Sequence, residues 1–278
     1  MHPSPNPVDH GSAAPSPAET SRLIVERTPR YVRALLDDVD QTRARAILDQ
    51  VEHAYEAPEW LKKGTSCSVI RIVVEGRPLV LKRFNLKTRV RRLKALVRPT
   101  RAARCFRLGH ALRAAGVRTP VPLGYQVERR GLLRGRSYLV TEFVEGPNGR
   151  ESMGRPGDDW RTAAAELADQ LNRMWLAGFC HGDLKSKNIL FHDAGASLVD
   201  LDSMKRLRGT WLAIDVAKDQ ERLLRNWDEG TELRSFLAER LVEPAACARA
   251  RPFRSYLEPL VARIRCRGEG RVGSSSAC

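Results

Sequence analysis

Residues 181–202, HGDLKSKNILFHDAGASLVDLD, gather on one short stretch the side chains that phosphoryl transfer needs. That reaction asks for a carboxylate to orient an attacking hydroxyl, a cation beside the moving phosphoryl group, and oxygen ligands for Mg²⁺. Asp183, Lys185, and Asn188 with Asp200 supply those parts in that order, and Asp202 is a second acidic candidate for the metal. A capped turn followed by a β-hairpin, with Asp-Ala-Gly at 193–195 as its turn, is the plain structural alternative. Four polar residue types at this spacing, ahead of an apolar strand that ends in acid, favour chemistry. The expected local structure is a tight loop, a strand, a turn, and a second strand running out through Asp200 to Asp202.

Other elements must bring a nucleotide to that loop. Val69–Val74 and Leu79–Phe84 read as strands around a turn at Gly76-Arg77. In the second of them Val80, Lys82 and Phe84 share a face, so the Lys82 ammonium points inward. An inward lysine is costly unless it meets an anion, and nucleotide phosphates would be that anion. The GTSCS segment (64–68) is a small-residue turn whose backbone N–H groups, around Gly64 and Ser66, could cover phosphates. With one glycine instead of three it also serves as an ordinary connection. Leu123–Val127 and Ser137–Val144 form a strand pair, and backbone groups of Glu142 to Val144 lie where an adenine edge could pair with them. Glu145-Gly146-Pro147-Asn148-Gly149 then reads as a hinge between two lobes.

The C-terminal half is patterned for helices. Asp158 or Asp159 caps a helix that carries Leu167, Leu171, Met174 and Trp175 on one face, and Gly178 ends it just before His181. Helical patterns continue from about Ile214 to Arg267. At the other end, residues 1–20 are rich in Pro, Ser and Ala and read as disordered. Thr28-Pro29 reads as a helix start, with Tyr31, Val32, Leu35, Leu36 and Val39 at helical spacing, followed by a second pattern through Ile47, Leu48, Val51 and Tyr55. The expected organisation is a tail (1–20), a helical extension (21–58), a strand-rich lobe with basic helices over 86–115 (59–145), a helical lobe carrying the loop (146–267), and a flexible tail (268–278).

The formal net charge of +15 is concentrated: between Gly76 and Val127 there are 14 Lys and Arg and no Asp or Glu. Such a lobe attracts an anionic membrane face, a phosphorylated or acidic-sugar substrate, or nucleic acid. Nucleic acid is disfavoured, because the segment has few aromatics for stacking and no recognisable reading module. No apolar run is long enough to span a bilayer, and the N-terminal segment has no signal-peptide core, so a cytoplasmic location is expected. The six cysteines show no metal-ligand spacing and are expected as free thiols.

With the hinge, HGDLKSKN and LVDLD in hand, the chain resembles the protein-kinase-like superfamily, and within it the lipopolysaccharide kinase family of the Kdo/WaaP type. The likeness spans roughly residues 60–228. It rests on LVLKRFN (79–85), the basic RPTRAARCFRLGHALRAAGVRTPVPLG (98–124), SYLVTEFVEG, HGDLKSKNIL, LVDLD and KDQERLLRNW (218–227). The resemblance implies an α+β fold of two lobes, with a small antiparallel sheet in the first and a mainly helical second. It implies ATP and Mg²⁺ as cofactors and a sugar hydroxyl, heptose or Kdo, of a lipopolysaccharide core glycolipid as acceptor, met at the inner face of the cytoplasmic membrane. Carried over, Lys82 would hold the α/β-phosphates, Asp183 would orient the acceptor and take its proton, Lys185 would screen charge, and Asn188 and Asp200 would bind Mg²⁺. His181 would brace the loop.

The chain departs from protein kinases in lacking a full glycine-rich loop, in having DLD where DFG would stand, and in carrying no Glu over 76–127 to pair with Lys82. Those departures favour a compact, non-protein acceptor. A kinase of protein or small-molecule hydroxyls, and a catalytically silent nucleotide-binding module with a basic docking lobe, are the competing readings.

Overall fold

Val74 and Arg77 bracket a two-residue turn, and the strands it joins, β4 (Cys67–Val74) and β5 (Arg77–Phe84), are dominated by β-branched and other apolar residues. Glu75 and Gly76 both take positive φ, 51° and 76°, the twist that a tight antiparallel hairpin requires. The computed structural model describes residues 22–37, 40–85, 99–131, 133–153 and 160–249. The expectations for both tails, for a helix over 86–98, for a cap at Asp158 or Asp159, and for helix beyond 249 lie outside those residues.

Five further strands flank this hairpin: β1 (Arg22–Arg27), β2 (Tyr31–Asp37), β3 (Glu59–Lys62), β6 (Pro122–Arg130) and β7 (Leu133–Glu142). They form one antiparallel sheet in the order β1-β2-β6-β7-β5-β4-β3. Strand alternation decides what each face does. Phe84 and Leu139 pack with Cys105 and Phe106 of helix α2 (Arg101–Ala114), whereas Leu79, Leu81 and Tyr138 pack with Ile47 and Leu48 of helix α1 (Gln41–Asp49). Lys82 shares the first face and Arg83 the second.

The segment 21–58 is therefore not the helical extension its spacing suggests. Thr28-Pro29 is a hairpin turn: the Thr28 hydroxyl accepts from the Arg30 and Tyr31 N–H groups at 3.2 and 3.0 Å, and the chain turns back as β2. Ala34 and Leu35 are fully buried because β2 lies between β1 and β6. Among the described residues of this segment, helix is confined to α1 and a single 3₁₀ turn at His53–Tyr55. Arg33, also buried, donates to Gln126 Oε1 at 2.9 and 2.7 Å and to Asp49 Oδ1 at 2.7 Å, which ties β2, β6 and α1 together.

The second lobe follows its pattern more closely. After a short helix α3 (Gly149–Met153), helix α4 (Trp160–Leu176) buries Leu167, Leu171, Met174 and Trp175 completely. Around it pack α5 (Gly209–Leu224), α6 (Glu232–Arg240) and α7 (Pro244–Arg249). Two small antiparallel pairs belong to this lobe: β8 (Phe179–Cys180) with β11 (Lys205–Arg206), and the hairpin of β9 (Ile189–His192) with β10 (Gly195–Leu198). The hinge is held against β9: the Phe191 N–H donates to the Pro147 carbonyl at 2.9 Å, and a Cβ at Gly146 would lie 1.8 Å from the Phe191 carbonyl oxygen. Only glycine permits that approach. The α+β, two-lobed, protein-kinase-like class expected from the sequence is the one observed, with a sheet larger by the two strands of residues 22–37.

Candidate active site

β8 delivers the chain to His181, and the loop that follows is fixed from below. Asp219 of α5 is completely buried; its carboxylate accepts from the backbone N–H of His181 at 2.6 Å, from that of Gly182 at 2.9 Å, and from Trp175 Nε1 at 3.4 Å. Asn226, just beyond α5, accepts from the Ser186 N–H at 2.9 Å and donates to the Leu184 carbonyl at 3.2 Å. His181 is itself buried, with Nε2 3.0 Å from the Val199 carbonyl and Nδ1 3.4 Å from the Asp183 N–H. That arrangement puts the ring proton on Nε2. Burial pushes the pKa of His181 down, so the ring is a neutral brace.

On this support the polar residues converge. Asn188 closes a 3₁₀ turn (Ser186–Asn188) and donates Nδ2 to the Asp183 carbonyl at 2.8 Å and to Asp183 Oδ2 at 3.3 Å. With its amide nitrogen committed, Asn188 has Oδ1 to offer a cation. Lys185 Nζ is 2.7 Å from Asp183 Oδ1 and half exposed.

The expectation of an extended strand through Asp200 and Asp202 is corrected. β10 ends at Leu198, Asp200 is left-handed at φ 60°, and Leu201–Ser203 forms a 3₁₀ turn, so the two carboxylates take different partners. Asp200 meets Lys82 through Oδ1 and Lys62 of β3 through Oδ2, the latter at 3.4 Å. Asp202 meets α2: Arg101 Nε donates to Oδ1 at 2.8 Å, Arg101 Nη2 donates to Oδ2, and Arg104 Nη2 donates to the Asp202 carbonyl. No acid stands in the first turn of α2, where the helix dipole would favour one, and arginines stand there instead. That positive end is satisfied by Asp202 from the other lobe. The acid that meets Lys82 thus comes from the loop after β10, and helix α2 contributes cations to that same loop.

A cavity of about 440 Å³ opens between the lobes. Val80, Leu139, Val144, Leu190 and Val199 are among its apolar walls, and Lys82, Asn188, Asp200, Lys62 and Lys187 are among its polar members. Glu142 lines it too, although its N–H already donates to the Val121 carbonyl at 3.0 Å and its carboxylate accepts from the Val121 N–H at 3.1 Å. Gly64 and Ser66 are not brought to the wall. The Gly64 carbonyl accepts from Ser68 Oγ at 3.0 Å, and the Ser66 carbonyl accepts from the Asn85 N–H and from Arg101 Nη1, both at 3.1 Å. Cys105 borders the cavity, and burial pushes its thiol up to about 12.

Burial alone would raise the pKa of Asp200, but the ammonium groups of Lys82 and Lys62 outweigh it and hold the carboxyl at about 2. Burial likewise works against charge on Lys82, and the Asp200 carboxylate overcomes it, keeping the lysine above its ordinary value. Both groups are charged at neutral pH. A metal–triphosphate would suit them as a pair, because phosphate oxygens complement Lys82 while a divalent cation complements Asp200 and Asn188 Oδ1. The residues present fit that group.

Sequence reasoning assigned no role to Asp219, Asn226, Arg101 or Lys62. Asp219 did leave a signal: it falls on the apolar stripe Leu212, Val216, Leu223 of α5, where an acid is out of place unless it has partners.

A cleft between a sheet and a helical lobe, lined by an inward lysine, a loop Asn that is hydrogen-bonded to the loop Asp183, and an acid after β10, defines a phosphotransferase of protein-kinase-like architecture. Residues 63–237 match the model of the lipopolysaccharide kinase (Kdo/WaaP) family, and the chain belongs to that family. Two 3-deoxy-D-manno-octulosonic acid kinases of Stenotrophomonas maltophilia, strains K279a and R551-3, are 31% and 32% identical over 154 residues, 46% of this chain and 60% of each kinase. A probable bifunctional tRNA threonylcarbamoyladenosine biosynthesis protein of Methanothermobacter thermautotrophicus is 27% identical over 144 residues, 51% of this chain and 25% of that protein. The chain thus spans less than two thirds of these relatives. A solved structure of WaaP in complex with acyl carrier protein superposes at TM-score 0.43 with 19% identity, covering 66% of this chain and 83% of that one. That overlap is too loose to carry weight.

Three outcomes follow from this geometry. Asp219→Ala strands the buried His181 N–H and Trp175 Nε1 and the half-buried Gly182 N–H, and is expected to cost about 2–4 kcal/mol in urea unfolding. For Asp200 the folded pKa lies below the unfolded value, so its contribution is complete above pH ~4 and fades as pH falls toward ~2. The stability difference between wild type and Asp200→Asn, about 2 kcal/mol near neutrality, is therefore expected to shrink over that window in acid titrations. In a double-mutant cycle, Arg101→Ala and Asp202→Ala are expected to show a coupling of about 1–2 kcal/mol, and additive losses would contradict the bond.

Proposed function

We propose that the protein is an ATP- and Mg²⁺-dependent kinase that phosphorylates a sugar hydroxyl, heptose or Kdo, of the lipopolysaccharide inner core. The observation that carries this reading is that Lys82, Asn188 and Asp200 line one cavity, with Lys82 paired to Asp200 and Asp183 hydrogen-bonded to Asn188 at 3.3 Å. Bound there, Mg²⁺–ATP supplies the phosphoryl group and neutralises charge as it moves.

Lys82 grips the α/β-phosphates from the sheet, and Asn188 and Asp200 hold the cation from the helical lobe. Asp183 orients the acceptor hydroxyl and receives its proton on a carboxylate oxygen. Lys185, beside that carboxylate, screens the transferred group, while Val80 and Val144 flank the base. Asp202 serves the site through Arg101, holding the Asp200 loop against α2, a positioning role in place of the metal-ligand role its sequence suggests.

The acceptor is read from the family and from the 3-deoxy-D-manno-octulosonic acid kinases of Stenotrophomonas maltophilia, together with a net charge of +15 suited to an anionic glycolipid. Work at the inner face of the cytoplasmic membrane agrees with that acceptor, and no helix among the described residues is long and apolar enough to cross a membrane.

Purified protein given labelled ATP, Mg²⁺ and core oligosaccharide is expected to transfer label, with Asp183→Asn reducing kcat by at least about 100-fold while nucleotide still raises the melting temperature. Transfer at wild-type rate by Asp183→Asn overturns the role of Asp183. Label entering only protein or small alcohols moves the acceptor to those classes.

A further inference from the structure

Lys62 reaches the cavity only because β3 carries an irregularity. Residues directly opposite one another in neighbouring strands point to the same face of a sheet. Trp60 stands opposite Ile70, and the row continues through Leu81 to Val140, three residues of the core that packs on α1. The next pair in register would be Leu61 with Val69, yet Lys62 is the residue paired there. Leu61 and Lys62 together oppose Val69, the two-against-one arrangement of a β-bulge, which re-aims a side chain. Lys62 thereby joins the row of Val69, Lys82 and Leu139, and all four line the cavity. Without the bulge Lys62 would fall opposite Ser68, in the row of Arg83 and Tyr138 on the α1 side. Its neighbour Lys63 does go to that side, 5.5 Å from the centre of the Trp60 ring, which itself meets Tyr55 at 6.0 Å. Two consecutive lysines are sent to different surroundings, and only one of them to the cleft.

The contact that Lys62 makes there is too weak to be the reason for a bulge. Its Nζ is 3.4 Å from Asp200 Oδ2 and its side chain is 55% exposed, and a half-exposed pair at that distance contributes little to stability. Lys82 holds the other carboxylate oxygen from an interior strand, whereas β3 is the edge of the sheet. Of the two ammonium groups on Asp200, Lys62 is therefore the one that can leave, on a flexible four-carbon stem. A metal ion attracted to Asp200 Oδ2 displaces it, and the nearest anion is then the far end of a polyphosphate held by Lys82. The connection after β3 leaves that end uncovered, since neither Gly64 nor Ser66 lines the cavity.

We infer that Lys62 is a second phosphate-binding residue: its ammonium leaves Asp200 for the β- and γ-phosphate oxygens of a bound nucleotide. It takes the part that a glycine-rich loop plays with backbone N–H groups. A lysine binds phosphate as a mobile point charge, so its contribution grows with the number of phosphates on the ligand. The inference rests on the nucleotide reading above and adds the residue that distinguishes a triphosphate from a monophosphate.

The test is calorimetric titration of the full chain with ATP and with AMP, both in EDTA, so that binding is read without metal or turnover. Wild type is expected to hold ATP about tenfold or more tightly than AMP. Loss of one charge-assisted contact is worth about tenfold, so Lys62→Met is expected to weaken ATP by that factor and leave AMP within about twofold. Lys63→Met, changed on the other face, is expected to match wild type with both ligands. Equal ATP affinity in wild type and Lys62→Met overturns the role of Lys62. An equal loss for ATP and AMP, or the same loss in Lys63→Met, overturns it as well. Wild type that binds ATP no better than AMP overturns the nucleotide reading itself, and this inference with it. A second measurement needs no variant. An acyl phosphate of ATP, which passes its acyl group from the terminal phosphate to a nearby amine, is expected to acylate Lys62, and free ATP to prevent this. Acylation of Lys82 or Lys187 with Lys62 untouched overturns the proposal.

Discussion

Everything in the cleft is arranged around one pair of opposite charges, Lys82 on the sheet and Asp200 on the helical lobe. Neither would be comfortable alone: the lysine side chain is only 12% exposed and the carboxylate 24%. An unpaired charge in such surroundings costs several kcal/mol, so each makes the other tolerable, and the lobes are drawn together at that point. The αL backbone at Asp200 and the placement of Lys82 in an interior strand both serve that contact. A ligand that separates the two must offer each an equivalent charge, which restricts the cavity to bound species carrying both signs.

The rest of the site is a problem of holding a loop still. Asp219 gathers N–H groups from the start of the 181–188 loop, Asn226 ties its middle, and Arg101 ties the turn after Asp200. Two of these ties reach upward from α5 and its C-terminal end, and the third reaches down from α2. The loop is thereby fixed from both lobes, and Asp183 inherits its orientation from groups on α5 and α2.

Much of this was legible in the residues and some was not, for definable reasons. The polar loop at 181–188, the inward lysine and α4 were readable because each is a local pattern: polar types at close spacing, a period of two, a period of 3.6. Residues 31–39 misled because Tyr31, Val32, Leu35 and Leu36 satisfy a helical spacing as well as a strand buried on both sides. Only the neighbours β1 and β6 decide between them. Thr28-Pro29 is equally at home as a helix start or a hairpin turn. Asp202 misled because its role depends on Arg101, a hundred residues away in sequence. No acid lies in 76–127 to meet Lys82, and nothing local reveals that Asp200 meets it instead.

The thiol of Cys105 at the cavity wall has a consequence for inhibitor chemistry. A cysteine bordering a pocket ordinarily invites an electrophilic warhead, yet burial pushes this thiol up to about 12, which disfavours the reactive thiolate at neutrality. Covalent capture would be slow there, and compounds aimed at this cleft would have to rely on reversible contacts with its apolar walls and its paired charges.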